Sequence, residues 1–435
     1  MIFNSTQENF IFFKIPVGLF SLIPLFLITG PFFSDLSVSL ISLLFLTYCL
    51  KRNNFSYFNN KYFYYFLIFW IYLIFNTLIN NFNLDSFKIS FFYFRYGVFV
   101  IAIVTFLKED YKFIKYFFYC IFICFTALVF DGFYQYFTGE NILGWKNSTR
   151  TSSFFGNEKI LGSYLSRLWP IFFGLSMFIV KKKNKLFPLI ILIFILSETL
   201  IFLSGDRTAF FFINLSAIFV ILFSQKLFKL RLITLTSSIL LLIIISFINP
   251  IAKERVFDQT IRQMNLDSKN INKNLDSKNI NINKNKEKNS IYIFSREHTH
   301  YYITALKMFL DNKVLGVGVK NFRNFCKDER YKISKMACST HPHNTYIQIL
   351  AETGIIGFLF LITVLIYFCK YILKHFILKF KGKYYFNDFE ICILSGIAIY
   401  LWPFAPTGNI FNNWLSIIMI LNLPFLIWSR KSIKT

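Results

Sequence analysis

The residues best suited to chemistry lie in one stretch, STHPHNTYIQILAETGIIGFLF, at positions 339–360. Proline is favoured at the first position of a helix, so Pro342 predicts a helix start with His343 in its first turn. The positive potential at a helix N-terminus disfavours imidazolium, so we expect a neutral ring able to act as a general base. Free N–H groups at the same end could hold a phosphate. The alternative is an ordinary helix cap without a catalytic role.

The predicted helix carries a polar stripe on an otherwise apolar surface. Asn344, Gln348 and Glu352 recur every four residues and therefore share one face. Asn344 is a supporting residue of the candidate site, whereas Glu352 lies more than two turns along the helix and is interpreted as structural. Gly354 and Gly357 follow, and we expect them to allow close helix packing.

Histidine is concentrated near this stretch, since His298, His300, His341 and His343 are four of the five in the chain. An H-x-H arrangement suits zinc, but no acidic residue or third histidine stands at the spacing of a metal motif. We therefore predict no metal site and favour acid–base chemistry, in which His341 orients His343 or shuttles a proton. A solvated histidine pair without function is the other interpretation.

Composition places these residues in a membrane protein. Of 435 residues, 55% are apolar, 21% aromatic and 16% charged, and the mean hydropathy is +0.51. A soluble protein could not bury this much Phe, Ile and Leu in one core, and a helix spans a bilayer with about 20 apolar residues. A soluble enzyme and a single-anchor protein are excluded, and we predict an all-α polytopic fold. The twelve predicted spans are 14–33, 36–50, 63–79, 89–107, 116–137, 161–180, 186–204, 208–224, 232–249, 346–369, 388–405 and 411–428.

The net charge of +25, from 47 Lys and Arg against 22 Asp and Glu, would by itself suit a nucleic-acid-binding protein. The basic residues cluster instead in short runs between alternate apolar segments, which is typical of cytoplasmic connections. This pattern predicts cytoplasmic termini and no nucleic-acid partner. The basic runs are Lys51 and Arg52, then Lys108 to Lys115, Lys181 to Lys185, Lys226 to Arg231, Lys370 to Lys383, and Arg430 to Lys434.

The predicted spans divide the chain into three parts. Residues 1–249 hold the first nine helices, 250–345 form a long extracytoplasmic segment, and 346–435 hold the last three helices and the tail. Within the long segment NLDSKNINK, from position 265, is followed by NLDSKNINI. This run, 265–289, is polar with no apolar face and is predicted to be disordered.

Two of the seven cysteines share the long segment. Cys326 and Cys338, twelve positions apart, could form a disulfide in an oxidising compartment, or they could remain free thiols. The other five fall in or beside apolar segments, where cysteine behaves as a small apolar residue.

Four stretches, in consistent order over residues 115–370, resemble the superfamily of O-antigen ligases and O-antigen polymerases. His343-Asn344, nine residues, Gly354, two residues and Gly357 is similar to the family's H-N-x9-G-x-x-G signature. The stretches SGDRTAF, SREHTHYYITALKMFLDNKVLGVGVKNF, and DGFYQYFTGENILGW with RTSSFFGN resemble its other elements. The nine-residue repeat and Lys313-Val314 depart from the family pattern but do not touch the candidate chemistry.

The resemblance implies a metal-independent glycosyltransferase of the GT-C type, and the sequence gives no evidence for a soluble cofactor. Its donor would be an undecaprenyl-diphosphate-linked glycan, and its active site would face the periplasm from a multi-pass protein in the bacterial inner membrane. A ligase passes the glycan to a sugar hydroxyl of the lipid A–core, whereas a polymerase passes it to another lipid-linked glycan. We expect a ligase, with the polymerase as the alternative.

The resemblance also implies fixed cations at the outer membrane surface, because undecaprenyl diphosphate would be the leaving group. Arg207 and Arg296 match the arginine positions of the family, and a guanidinium suits bidentate contacts to phosphate. Their alternative role is that of juxtamembrane anchors. Arg150 lies in a loop and could contact glycan or phosphate.

Two further arginines, Arg95 and Arg167, fall within predicted spans. Charge inside a membrane is costly and is functional by default, so both are candidate phosphate contacts. Both also lie near the outer boundary, where a long side chain reaches water at little cost. Arg95 could instead pair with Asp131, which also lies within a predicted span.

A glycan flippase or transporter is the candidate from a different class, because twelve helices and intramembrane arginines would suit it as well. Against it, no repeat of the two halves of the chain is evident, and the polar residues concentrate at one face of the membrane rather than at its midplane.

Overall fold

A computed structural model of the chain describes residues 6–80, 82–146, 150–180, 185–248, 253–264 and 292–432. Within these ranges the regular structure is helical, with no strand and one isolated bridge between Glu140 and Lys146. The predicted fold class is confirmed, since the chain is an all-α polytopic membrane protein. The predicted disordered run, 265–289, lies outside the described residues.

Helices follow all twelve predicted apolar segments in order, and the described part of the long outer segment adds a further long helix and several short ones. They are α1 Ile15–Thr29, α2 Pro31–Lys51, α3 Lys61–Ile79, α4 Leu84–Phe92, α5 Phe94–Glu109, α6 Ile114–Thr138, α7 Leu161–Ile179, α8 Leu186–Leu203, α9 Arg207–Phe223, α10 Phe228–Ile248, α11 Arg296–Asp311, α12 Thr345–Phe380, α13 Asp388–Leu401, α14 Asn413–Ile420 and α15 Asn422–Ser432. Shorter helical pieces are Thr6–Asn9, Phe10–Lys14, Ser56–Phe58, Tyr111–Phe113, Ser153–Phe155, Glu254–Asp258, Gln259–Gln263 and Phe322–Phe325.

Eight helical stretches in the described part of the chain are long and apolar enough to cross a membrane. They are Phe10–Thr29, Pro31–Lys51, Lys61–Ile79, Leu84–Glu109, Tyr111–Thr138, Leu186–Leu203, Phe228–Phe247 and Thr345–Phe380. Helices also occupy the other four predicted spans: α7, α9, α13, and the pair α14 and α15. These four do not meet the same criteria of length and apolarity.

Asparagine and aspartate side chains begin many of the helices by accepting backbone N–H groups of the first turn, which would otherwise have no partner. Asn60 caps α3, Asp206 caps α9, and Asn412 caps α14. At Asn387 the cap is reciprocal, because Glu390 also accepts the backbone N–H of Asn387. The apolar sequence makes the helices, and these polar residues set where each one starts.

The connections gather at two ends of the bundle, as alternating spans require. At one end, the side chains of Asn76 and Asn80 donate to the carbonyl of Leu315, at 2.6 and 3.1 Å. At the other end, Asp388 accepts the backbone N–H groups of Gln225 and Lys226, at 2.6 and 2.8 Å. The predicted outer connections therefore meet one another, and so do the predicted inner ones.

Arg231 does not lie where the charge pattern predicted. We predicted that it belongs to a basic connection, but it lies inside α10, fully buried, with its guanidinium 2.5 Å from Glu198 of α8. Ser238 donates to the second oxygen of that carboxylate, at 2.7 Å. A buried charge needs a partner, and Glu198 supplies one that the local sequence around Arg231 does not reveal.

Candidate active site

His343 stands immediately before α12 rather than in its first turn. The helix begins at Thr345, and Asn344 is its cap, accepting the N–H groups of Tyr346 and Ile347. His343 itself has φ of 59°, a left-handed conformation that is uncommon for residues other than glycine. The predicted helix start at Pro342 is therefore wrong, because the asparagine provides the cap and the left-handed residue before it cannot continue a helix.

The connection between α13 and α14 holds this unusual backbone in place. Thr407 donates its N–H to the carbonyl of His343 at 2.8 Å, and the side chain of Asn344 donates to the carbonyl of Pro403 at 2.8 Å. The hydroxyls of Thr345 and Thr407 lie 2.9 Å apart. These contacts fix His343 from a part of the chain more than fifty residues away.

The imidazole of His343 lies among three other rings. Its centroid is 4.0 Å from that of His341 and 5.4 Å from those of His298 and Tyr301, and the Tyr301 ring is stacked on it. Its Nε2 is 3.1 Å from the hydroxyl of Ser339. Burial, with smaller contributions from His341 and His298, lowers the pKa of His343 to about 3. The ring is therefore neutral near pH 7, and burial rather than the helix end is the main cause.

His341 is fixed more firmly than its neighbour. Its Nε2 lies 3.1 Å from the carbonyl oxygen of Thr407, and its Nδ1 lies 2.9 Å from the hydroxyl of Thr340. A carbonyl can only accept, so Nε2 carries the proton and Nδ1 accepts from Thr340. Burial lowers the pKa of His341 to about 4. This neutral ring packs against that of His343.

His298 connects the histidines to the arginines. It lies in the first turn of α11, where Ser295 accepts its backbone N–H and also lies 2.8 Å from its Nδ1. Burial lowers its pKa, Glu297 opposes that shift, and the positive charge of Arg207 adds to it. His298 therefore faces His343 on one side and is within electrostatic reach of Arg207 on the other.

Arg207 is the first residue of α9, and a neighbouring outer segment holds its side chain. Its two terminal nitrogens donate to the hydroxyl of Thr260 at 3.0 Å and to the amide oxygen of Gln263 at 2.7 Å. Arg150 also lies within electrostatic reach of Arg207. The structure thus brings together two of the three predicted phosphate contacts near the histidines.

Comparison with known proteins identifies the region that carries the histidines and Arg207, whereas Arg150 lies outside it. The O-antigen ligase family model matches residues 188–362, from the start of α8 into α12. Over this segment, the chain is similar to the O-antigen ligase family. This similarity supports a function of the general O-antigen ligase or polymerase type, a family whose substrates are lipid-linked glycans. No curated protein matches the chain.

A crossing of chain segments within the O-antigen ligase region explains two of the family glycines. At Gly354 the helix is interrupted with φ of 63°, and a Cβ there would lie 2.2 Å from the carbonyl oxygen of Val314. At Gly316, which has φ of 71°, a Cβ would lie 2.6 Å from the carbonyl oxygen of Ala351. Each glycine allows the backbone of the other segment to approach closely. Gly354 therefore permits α12 to cross the segment that contains Val314, rather than the helix packing that we expected.

The polar stripe of α12 holds this crossing together. Glu352 is fully buried and accepts the N–H of Phe322 at 3.2 Å and the side-chain amide of Gln348 at 3.0 Å. Gln348 also donates to Asn409 at 2.8 Å. In the O-antigen ligase region Glu352 is thus a structural anchor for the segment that leads to the histidines.

The remaining predicted arginines lie in different surroundings. Arg296 begins α11, two residues before His298. Arg167 is buried, donates to Ser163 at 3.1 Å, and lies over the rings of Phe212 and Tyr400. It lines a small cavity together with Thr345 and with Thr407, which also binds the backbone of His343.

Arg95 does not pair with Asp131 as we suggested. Its guanidinium contacts Asp35 at 2.7 Å, whereas Asp131 accepts the hydroxyl of Ser153 at 2.5 Å and the N–H of Ile142 at 2.9 Å. The two residues lie on different helices whose rotation the sequence does not fix, and Asp131 instead organises the first long outer loop.

A disulfide lies close to the histidines. A disulfide joins Cys326 to Cys338, one residue before Ser339, which contacts His343. Within the ranges that the structure describes, no group of three or more His, Cys, Asp or Glu side chains is arranged to hold a metal ion. The residues predicted by the sequence did not include Ser339, Tyr301, Thr407 or Arg255.

Proposed function

We propose that the protein is an O-antigen ligase-type glycosyltransferase. It moves a glycan from undecaprenyl diphosphate to a sugar hydroxyl of the lipid A–core at the periplasmic face of the inner membrane. The observation that carries this proposal is the neutral ring of His343, whose centroid lies 5.4 Å from that of His298, while Arg207 lies within electrostatic reach of His298. A base and a cation that suits a diphosphate thus both lie near His298.

In the proposed reaction, the ring of His343 accepts the proton of the acceptor hydroxyl. The acceptor oxygen attacks the anomeric carbon of the donor sugar, and the bond from that carbon to the diphosphate oxygen breaks. Undecaprenyl diphosphate leaves with one additional negative charge, and Arg207 and Arg150 stabilise that charge through the transition state. Arg296 is proposed as a further diphosphate contact, while Asn344, Arg95 and Arg167 support the site.

The low pKa of His343 fits this role once the donor is considered. In the absence of donor the ring is neutral but a weak base, because burial opposes its protonation. A bound diphosphate places negative charge near the ring, and negative charge favours imidazolium. The donor therefore raises the basicity of His343 at the step where a base is needed.

The decisive test uses purified protein in liposomes with a synthetic undecaprenyl-diphosphate glycan and lipid A–core. We expect transfer by the wild type, and a loss of about a hundredfold or more in His343→Gln, which is the range for a general base. His300→Gln is the matched control, because His300 contacts Ser334 at 2.8 Å on the outer segment and has no role in the proposed reaction. Full transfer by His343→Gln would overturn the proposal.

Cells lacking the protein distinguish the two acceptors. Loss of a ligase leaves bare core and accumulates lipid-linked polymer, whereas loss of a polymerase leaves core capped with a single repeat. Reconstituted protein that moves lipid-linked glycan across the bilayer without forming a glycosidic bond would instead favour a transporter.

A further inference from the structure

The segment 253–264 lies directly against the start of α9. Thr260 and Gln263 both accept hydrogen bonds from Arg207. Earlier in the segment, Arg255 lies over Gly205, where a Cβ would come within 2.6 Å of the Arg255 Cδ and 2.9 Å of its Nε. The glycine leaves the space that this arginine fills, so the Arg255 side chain lies next to the residues that precede Arg207.

The position of Arg255 is fixed by its neighbour in the chain. Val256 is buried in an apolar cluster with Phe202 and Leu203 of α8 and with Leu242 and Ile245 of α10. The segment is therefore packed onto the ends of two membrane helices and does not depend on Arg207 alone for its place.

Three guanidinium groups accumulate at this point. Arg150, Arg207 and Arg255 lie within electrostatic reach of one another, and burial together with the other two charges lowers the pKa of Arg255. Among the residues that the structure describes, no carboxylate forms an ion pair with any of the three. Asp206 favours the Arg207 cation, but its carboxylate caps α9. Like charges held together without counter-ions are unfavourable, and an anion would relieve that cost.

We propose that Arg255 binds the diphosphate of the donor together with Arg150 and Arg207. The inference rests on the proposed function. It adds Arg255, which lies in none of the sequence motifs and in none of the predicted spans. Arg255 is a binding residue on the leaving-group side, whereas His343 acts on the acceptor side. Three planar guanidinium groups could contact both phosphates of a diphosphate at once.

The surroundings of Arg255 favour a lipid-linked diphosphate over a soluble one. Phe257 and Ile261, one helical turn apart on the same segment, are 50% and 45% exposed, and Phe247 at the end of α10 is 86% exposed. These apolar side chains stand where α10 emerges from its membrane span. A polyprenyl chain attached to the bound diphosphate would cover them, whereas free pyrophosphate would not.

The test measures binding directly, with the full chain purified in detergent. Farnesyl diphosphate and inorganic pyrophosphate serve as probes, and affinity is followed by microscale thermophoresis. We expect Arg255→Gln to weaken binding of farnesyl diphosphate by about tenfold or more, the usual effect of removing one charged hydrogen-bond partner. Arg255→Lys should lose less, because it keeps the charge.

Arg262→Gln is the matched control. Arg262 lies on the same segment but is exposed and paired with Glu254 at 2.8 Å, so its removal should leave affinity unchanged. Wild-type affinity in Arg255→Gln, with binding lost in Arg207→Gln, would overturn this inference and leave the proposed function intact. If binding of farnesyl diphosphate depends on Arg255 but the protein transfers no glycan, the inference is supported and the proposed function is refuted. If Arg255→Gln does not fold, Arg255→Lys provides the test. The inference would be overturned if this variant bound both probes as tightly as the wild type at all salt concentrations.

Discussion

The imidazole rings of His298 and His343 meet with their centroids 5.4 Å apart and their planes at 75°. His298 belongs to the outer helix α11, and His343 stands just before the membrane helix α12. Because Arg207 also acts on His298, this ring pair joins the proposed base to the proposed phosphate contacts. The titration of His343 should therefore respond to whatever anion the arginines hold.

The first prediction concerns the pH dependence of transfer. With the pKa of His343 lowered to about 3, the free enzyme keeps a neutral base well below the ordinary histidine value of 6.5. The pH dependence of kcat/KM for the donor reports the pKa of His343 in the free enzyme. The pH dependence of kcat reports its pKa in the donor complex, where the bound diphosphate raises it. We expect kcat to begin falling at a higher pH than kcat/KM as the solution is acidified. Coincident acid limbs would contradict the coupling.

Stability should depend on pH in a related way. In the unfolded chain His341 and His343 bind protons below about pH 6.5, but in the folded protein burial lowers their pKa values to about 4 and about 3. The unfolded state thus binds more protons in this window, so stability is lost as the pH falls below about 6.5. We expect the Tm in detergent to drop between pH 7 and pH 5, and to drop less in His341→Gln. An equal drop in both proteins would show that His341 does not contribute.

Asp206 allows the charge and the helix cap to be separated. Its carboxylate accepts the N–H of Ala209 at 3.1 Å and lies near Arg207. Asp206→Asn keeps an accepting oxygen but removes the negative charge, so we expect farnesyl diphosphate to bind about threefold more tightly with little change in Tm. Asp206→Ala should lose the cap as well and destabilise the protein by about 1 kcal/mol. Weaker binding in Asp206→Asn would show that the carboxylate helps the anion to bind.

Much of the fold was predictable because a membrane helix needs a long apolar run, and such runs are visible in the sequence. The family motifs single out His343 and Arg207, and the structure places both near His298. The connection at Thr407 was not predictable, because its contacts to His343 link distant parts of the chain without any periodic pattern. Arg255 was missed for the same reason, since only the fold brings it next to Gly205.

The charged residues within the helices show a second limit of sequence analysis. Asp35, rather than Asp131, pairs with Arg95, and Glu198 pairs with Arg231. The sequence indicates that a buried charge needs a partner, but the rotation of each helix about its axis determines which one it finds. That rotation depends on packing between helices, which an apolar run specifies only weakly.

Removal of metal is the fourth test. Positioned arginines take the place of a cation on the leaving diphosphate in the proposed reaction, and the resemblance to the family implies chemistry without a metal. We expect transfer to be unchanged in excess EDTA at constant ionic strength. Activity that disappears with EDTA and returns with a divalent cation would contradict this part of the mechanism.

The last prediction concerns the chain crossing at Gly354. An alanine there would be strained at φ of 63°, and its Cβ would lie 2.2 Å from the carbonyl oxygen of Val314. We expect Gly354→Ala to destabilise the protein by roughly 3 kcal/mol and to lower transfer, because the segment leading to His343 must shift.

Two controls separate strain from overlap in this prediction. Gly382 has φ of 68° with no atom within 4 Å of its Cβ position, and Gly18 lies within α1 with the same open space and no positive φ. Gly382→Ala should show the backbone cost alone, and Gly18→Ala should show no loss of Tm, since alanine favours a helix. Equal destabilisation at Gly354 and Gly382 would mean that the loop yields without cost, so that the positive φ alone, and not the crossing, requires a glycine.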